Sequence, residues 1–185
     1  MTTLQTKFQK EIAPLLMKEF GLKNKLAAPS TEKVVVNMGI GRLITQNSQT
    51  KDKILEQCIK LLAAVTGQRP APRKAKISIA GFKLRQGETI GLIITLRGSR
   101  MYDFLSRLIH VALPRTRDFR GIPLRNVDEH GALTIGIREH IVFPEVASEE
   151  TKQLYGFQVT IVPTTRKRER AIALYRALGI PLQKE

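Results

Sequence analysis

The sequence predicts an α+β domain: a mostly antiparallel sheet with helices packed on one face, and long basic loops. Three observations carry this. The apolar pattern runs helix, strand, helix, strand, helix, strand, strand, helix, without the strict alternation of a doubly wound sheet. The hydrophobic fraction is 42% of 185 residues, enough for a real core and too high for a disordered chain. Two cation-rich stretches lie outside every periodic segment. No repeat, low-complexity tract or linker divides the chain, so a single domain over residues 1–185 is expected.

Each element has its own reason. Residues 3–20 place Leu4, Phe8, Ile12, Leu15, Leu16 and Phe20 at helical spacing, with Gly21 as C-cap. Pro14 has no amide hydrogen and crowds the preceding turn, so a kink or a late start is expected. Residues 32–38 join three β-branched valines before Gly39 and read as a strand. Residues 51–66 align Ile54, Leu55, Cys58, Leu61, Leu62 and Val65 on one stripe that Gly67 stops. Cys58 on that stripe reads as a core residue, not a reactive thiol. Residues 88–96 read as a strand. Residues 100–112 read as a helix with Ser99 as N-cap, and Pro114 ends it. Residues 133–137 and 156–162 read as short strands. Residues 167–178 give a last helix with Ala171, Leu174 and Leu178 inward and Gly179 after it.

The charge narrows the partners. Lys and Arg number 31 against 16 Asp and Glu, a formal net charge of +15. Self-repulsion on this scale opposes compaction unless a polyanion relieves it. Nucleic acid is the first candidate and an anionic membrane surface the second. No apolar run approaches the roughly 20 residues that span a bilayer. Glu11 and Glu19 interrupt the apolar residues near the N-terminus, where no signal-peptide core is read. No membrane association is expected, and the compartment is cytoplasm or the interior of an organelle. The lone Cys58 fits a reducing environment. Aromatics are 5% and Trp is absent, so phosphate and groove contacts should outweigh base stacking.

The cations concentrate in three places. Residues 69–85 hold Arg69, Arg73, Lys74, Lys76, Lys83 and Arg85 with no acid. Prolines and Gly81 suit an extended loop there, with room for a short strand at 76–79. Phosphate contacts by such a loop release counterions; the bland alternative is a solvated basic loop. Residues 113–125 hold Arg115, Arg117, Arg120 and Arg125 against one Asp118, and arginine's planar fork suits bidentate phosphate contact. Asp118 could instead pair with an arginine and stiffen the loop. Residues 166–170 put Arg166, Lys167, Arg168 and Arg170 where the helix dipole disfavours cations. A bound anion would relieve that conflict, and a charged solvent face is the simpler account.

No catalytic or cofactor motif emerges. Gly39-Ile40-Gly41 follows a strand, but Ile44 stands where a dinucleotide fingerprint needs its third glycine, and no helix of the right type is expected to follow at once. A tight turn that brings backbone close to a ligand is the better reading. One cysteine and three histidines cannot make a standard zinc site. Glu139 and His140 would face opposite sides of a strand. No cofactor, metal or enzymatic activity is expected.

Six blocks now stand in order: Asn37-Met38-Gly39-Ile40-Gly41, Thr66-Gly67-Gln68-Arg69-Pro70, Ser78-Ile79-Ala80-Gly81-Phe82-Lys83-Leu84-Arg85-Gln86-Gly87, Thr95-Leu96-Arg97-Gly98, Pro114-Arg115-Thr116-Arg117-Asp118-Phe119-Arg120-Gly121 and Phe143-Pro144-Glu145. Together they resemble the bacterial type of the large ribosomal subunit protein five family, whose members bind 5S rRNA. The resemblance covers nearly the whole chain. It implies an antiparallel sheet with helices on one side and a curved face open to RNA. It implies 5S rRNA contacts at Lys33, Asn37, Gln68, Thr95 and Arg97. Lys33, Val35 and Asn37 would alternate onto one sheet face. Lys33 can neutralise phosphate, while Asn37, Gln68 and Thr95 can bond phosphate, 2′-OH or base edges.

The resemblance further implies that residues 72–86 reach peptidyl-site tRNA. Ala80, Gly81 and Phe82 would form the tip, with Ser78 beside it and Arg73, Lys74, Lys76, Lys83 and Arg85 screening phosphate repulsion. That loop is expected to be mobile when free. Arg115, Arg117 and Arg120 would meet 23S rRNA or a small-subunit protein across an intersubunit bridge, beside other central-protuberance proteins. The chain departs from the family at Ile77, where a basic residue is common. It departs at Asp128-Glu129-His130-Gly131-Ala132, against the usual Asp-Gly-Arg-Gly-Asn, and at the basic start of the last helix.

The rivals are an RNA-modifying enzyme or nuclease, which needs a catalytic cluster, and a nonspecific polyanion or membrane-surface binder, which needs only charge.

Overall fold

Three apolar side chains set the covered face of the central strand. The computed structural model describes residues 3–46, 51–82, 84–117, 119–146 and 154–183. In it, strand β1 (Thr31–Gly39) buries Val34, Val36 and Met38. Lys33, Val35 and Asn37 alternate onto the other, uncovered face. The same division runs along β3 (Thr89–Leu96), β4 (Leu133–Ile137) and β5 (Phe157–Pro163). Leu92, Ile94 and Leu96, Leu133, Ile135 and Ile137, and Phe157, Val159 and Ile161 are buried. With β2 (Ala71–Lys74) the strands order as β2-β3-β1-β5-β4.

All pairings are antiparallel. Ile40, just past β1, donates its N–H to Ile90 O at the start of β3 at 3.0 Å, and Thr164, just past β5, donates to Ser30 O at 2.8 Å before β1. Gly156 at the start of β5 lies against the Ile137 and Arg138 carbonyls at the end of β4. The predicted α+β sheet with helices on one face is therefore what the chain forms.

By contacts the chain divides into two compact units. One comprises Met1–Val34, Leu96–Ile135 and Thr160–Glu185; the other comprises Val35–Thr95 and Gly136–Val159.

In the first unit, helix α1 runs through Leu4–Lys7, a π turn at Phe8–Ile12 and Ala13–Glu19. Helix α4 (Gly98–Arg107) likewise continues into a π turn at Leu108–Ala112. Each wide turn sits just before a proline. Ala13, before Pro14, donates to Phe8 O, and Leu113, before Pro114, donates to Leu108 O at 2.9 Å. The kink or late start expected at Pro14 is thus replaced by a local change of hydrogen-bond register, which accommodates the proline without breaking the helix. Ser99 is not the N-cap of α4: Arg97 is, and the helix is entered two residues early through Gly98 at φ +62°. Phe8 and Tyr102 bring the two helices together with ring centroids 6.0 Å apart. The last helix, α5 (Arg168–Ala177), buries Ala171, Leu174 and Tyr175.

In the second unit, helix α3 (Lys51–Thr66) buries Ile54, Cys58, Leu61, Leu62 and Val65 of the stripe read from the sequence, while Leu55 at its edge is half-buried. Burial raises the Cys58 thiol to about 11, which suits a core residue. A helix does follow Gly39-Ile40-Gly41 at once: α2 (Gly41–Gln46), joined to the strand by Ile44 N–H on Ile40 O at 3.0 Å. Six residues are too few for apolar periodicity to register in the sequence.

Candidate nucleic-acid interface

The residues expected to face RNA divide between the two units. In the second unit, Asn37 is exposed on the uncovered sheet face. Among the described residues no protein group bonds its side-chain amide, so the turn or edge bond that could have absorbed it is not formed. Thr95 lies on the same face of β3, opposite in alternation to buried Ile94 and Leu96. Gln68 follows α3 after a turn held by Thr66 Oγ1, which donates to Leu62 O at 2.6 Å and lies 3.1 Å from Gln68 O. The Gln68 amide Nε2 donates to Thr95 O at 3.5 Å, so these two predicted positions do meet.

In the first unit, Lys33 is half-buried and pairs with Glu32 at 3.4 Å. The neighbouring acid offsets part of its charge, a weak effect at a solvent-facing pair. Arg97 is exposed at the N-cap of α4. Sequence reasoning missed that β4 and β5 also present small polar groups on uncovered positions. Thr134 and Thr160 lie with hydroxyls 3.3 Å apart, and Gln158 of the second unit is exposed. The period-2 alternation of 157–163 held that signal.

The basic stretch at 69–85 is not an extended loop with a strand at 76–79. β2 begins earlier, at Ala71, and pairs with β3 from Ala71↔Ile93 to Lys74↔Thr89, with an irregularity between Arg73 and Lys74. The pairing continues as a hairpin through Ala75 N–H on Glu88 O at 2.8 Å and an Ile79↔Leu84 bridge, turning at Ala80–Phe82. Pro72 is tolerated because β2 is an edge strand. Arg73, Lys74, Lys76 and Arg85 are exposed along this hairpin, as are Ala80, Gly81 and Phe82 at its turn. Lys83 lies outside the described residues. Ser78 stiffens the hairpin from within, since its Oγ accepts the Gln86 N–H at 2.9 Å. Glu88 anchors the base. It pairs with Lys51 and accepts the Arg85 N–H, and these bonds hold its carboxyl below the usual range.

The second basic stretch is strapped from behind. Ile122 N–H donates to Pro181 O at 2.8 Å, Gln183 N–H to Ile122 O at 2.9 Å, and the Gln183 amide to the Arg120 and Gly121 carbonyls at 3.3 and 3.2 Å. Arg115, Arg117 and Arg120 are exposed on the strapped segment. Asp118 lies outside the described residues. In the third cluster two arginines also bind the protein itself. Arg168 donates to the Leu124 and Val127 carbonyls at 3.0 and 3.3 Å, and Arg170 stands 5.4 Å over the Phe20 ring. Residues 166–169 are exposed, the charged solvent face that was the simpler account.

Two family models match. Residues 24–85 match the model described as Ribosomal protein L5, and residues 89–182 match the model of the C-terminus of that ribosomal family. The chain belongs to the ribosomal protein L5 family. Curated relatives agree. The large ribosomal subunit protein uL5 of Anaeromyxobacter sp. (strain Fw109-5) is 46% identical over 180 residues, covering 97% of each chain. That of Acidobacterium capsulatum is 47% identical, covering 97% of this chain and 96% of its own. That of Mycoplasma pneumoniae is 46% identical over 184 residues, covering 100% and 99%. No described helix is long and apolar enough to cross a membrane.

Proposed function

We propose that the protein is a structural constituent of the large ribosomal subunit. It binds 5S rRNA, links it to 23S rRNA in the central protuberance, and makes or breaks no bond. One observation carries this reading in a chain of the L5 family: on the uncovered sheet face Asn37 is exposed and its side-chain amide has no protein partner among the described residues. Groups left unpaired on a surface beside so many cations suit 2′-OH, phosphate and base edges. Gln68 and Thr95 of the same unit share that contact, and Lys33 and Arg97 of the first unit each meet 5S rRNA as well.

The finer assignments are part of the same proposal. The hairpin carrying Arg73, Lys74, Lys76 and Arg85 reaches toward peptidyl-site tRNA. Arg115, Arg117 and Arg120 contact 23S rRNA or a small-subunit protein across an intersubunit bridge, near other central-protuberance proteins. The chain acts as one domain on the ribosome, in the cytoplasm or within an organelle.

Competition filter binding at about 150 mM salt tests the reading, because pure charge attraction weakens there while specific contacts persist. Labelled 5S rRNA should resist competition by unrelated duplex RNA and by anionic vesicles. Equal displacement by all three would leave a nonspecific polyanion binder. Cleavage or modification of the RNA in magnesium would point to the enzyme reading.

A further inference from the structure

Helix α3 ends in more bonds than its closure requires. Gly67 takes φ +69°, and its N–H reaches Ala63 O at 2.8 Å, which already caps the helix. Thr66 adds a second set. It is 2% exposed, and its hydroxyl donates to Leu62 O at 2.6 Å and accepts the Gln68 N–H at 3.3 Å. A β-branched residue that bonds back to the carbonyl four positions earlier does not strengthen a helix. The gain lies beyond the helix end, where one buried hydroxyl ties Gln68 to the last turn of α3.

Gln68 in turn supplies a bond where a strand has not yet begun. The β2–β3 pairing starts at Ala71↔Ile93, two residues short of Thr95. Ahead of it, Gln68 Nε2 donates to Thr95 O at 3.5 Å. That is the long limit of a hydrogen bond, so this contact does not hold the side chain alone. The backbone fixed by Thr66 brings the amide to it. The second Nε2 hydrogen and Oε1 have no protein partner among the described residues. A glutamine side chain is among the costliest to order, and one already in place spares that cost when a partner arrives.

We infer that Thr66 is a positioning residue for 5S rRNA recognition: its buried hydroxyl sets Gln68, and Gln68 meets the RNA. The inference rests on the RNA-binding reading above and adds to it a residue that acts without touching RNA.

The test is a double-mutant cycle in the full chain, read by 5S rRNA filter binding at about 150 mM salt. Thr66→Val removes the hydroxyl and keeps the branched shape. It should weaken 5S rRNA about fivefold, as ordering one free side chain does, and should weaken it no further in a Gln68→Ala background. Thr66→Ser keeps the hydroxyl and should bind as the wild type does. The slope of log affinity against log salt should match in all four proteins, because no charge is removed. Without RNA, the Gln68 side-chain amide resonances should move in Thr66→Val and stay in place in Thr66→Ser.

An equal loss from Thr66→Val with and without Gln68 would make the hydroxyl a general structural group and overturn the inference. Unmoved Gln68 resonances, or wild-type affinity in Thr66→Val, would do the same. Where Thr66→Val does not fold, Thr66→Ala takes its place, and failure of both to fold also overturns a positioning role. Wild-type binding of 5S rRNA separates the two readings. If the wild type binds and the cycle shows no coupling, only the Thr66 assignment falls. If the wild type does not bind, the RNA-binding reading falls and takes the recognition role with it, while the Gln68 resonances still decide whether Thr66 sets that side chain.

Discussion

The Tyr175 hydroxyl donates to Gly131 O at 2.7 Å, deep beneath the turn at Asp128–Ala132. Asp128 Oδ1 caps that turn by accepting the Ala132 N–H at 2.7 Å. Gly131 itself sits at φ +85°, and a Cβ there would stand 2.7 Å from the Ala171 Cβ and 3.3 Å from Pro163. The glycine is therefore kept for packing, whatever its neighbours do. Gly131→Ala should lower stability by more than about 2 kcal/mol, combining left-handed strain with overpacking. Tyr175→Phe should cost about 1–3 kcal/mol by leaving a buried carbonyl short of its donor. Urea unfolding measures both; a change under about 0.5 kcal/mol for either would contradict this account.

Two arginines of similar sequence context should behave oppositely. Arg168→Ala removes its hydrogen bonds to the Leu124 and Val127 carbonyls and should destabilise the fold by about 0.5–1.5 kcal/mol. Arg73→Ala removes an exposed cation and should leave the unfolding midpoint in place. In RNA binding the order reverses: Arg73→Ala should reduce the slope of log affinity against log salt by about 0.7–0.9 if it neutralises one phosphate. Measuring midpoint and slope on both variants checks the assignment of each charge.

Asn37→Ala and Thr95→Ala should each weaken 5S rRNA by at least about 1 kcal/mol, roughly fivefold. Stability should barely move, since both substitutions leave the β1 and β3 backbone ladder intact and neither side chain belongs to the buried set. If neither variant binds less tightly, the uncovered face is not the 5S rRNA site.

Acid should loosen the second unit first through His140. The ring is buried and its Nδ1 accepts the Tyr155 N–H at 3.2 Å, so the neutral form is needed. Burial is the main cause that holds its pKa below the ordinary value, outweighing the smaller opposing effect of the Glu139 charge. The unfolded chain therefore binds the proton more readily. Stability is complete above about pH 6.5 and is lost as pH falls through that value toward the native pKa. Urea midpoints between pH 7.5 and 5 should decline in the wild type and flatten in His140→Gln. An equally steep decline in the variant would place the titration elsewhere.

Cys58 offers a probe of opening. With its thiol raised to about 11 and fully buried, a disulfide reagent at pH 8 should modify it no faster than the chain unfolds. Immediate stoichiometric modification in native buffer would contradict the packing of α3.

Long periodic segments were legible in the sequence, and short-range hydrogen-bond choices were not. The Ile54–Val65 stripe and the β1 alternation fixed one helix, one strand and the face that holds Asn37, because apolar burial there follows a simple period. Gly21, Gly67 and Gly179 all take positive φ at helix ends, as their positions after apolar runs implied. The π turns before Pro14 and Pro114 could not be read, since an α and a π turn share the same apolar pattern over five residues. Strand β2 was hidden because Pro72 and charged neighbours give an edge strand no apolar alternation. The internal use of Arg168 and Arg170 was equally hidden, because their partners lie 44 and 150 positions away in the chain.

The strap behind the arginine segment has a consequence for synthesis. The Arg120 and Gly121 carbonyls are bonded by the Gln183 amide, and the Ile122 backbone by Pro181 and Gln183, some 60 residues later. A nascent chain therefore exposes these guanidiniums well before it can fix where they point. Their final geometry is reached only once residue 183 has left the ribosome that is making it, so productive assembly into a new particle must wait for that later segment.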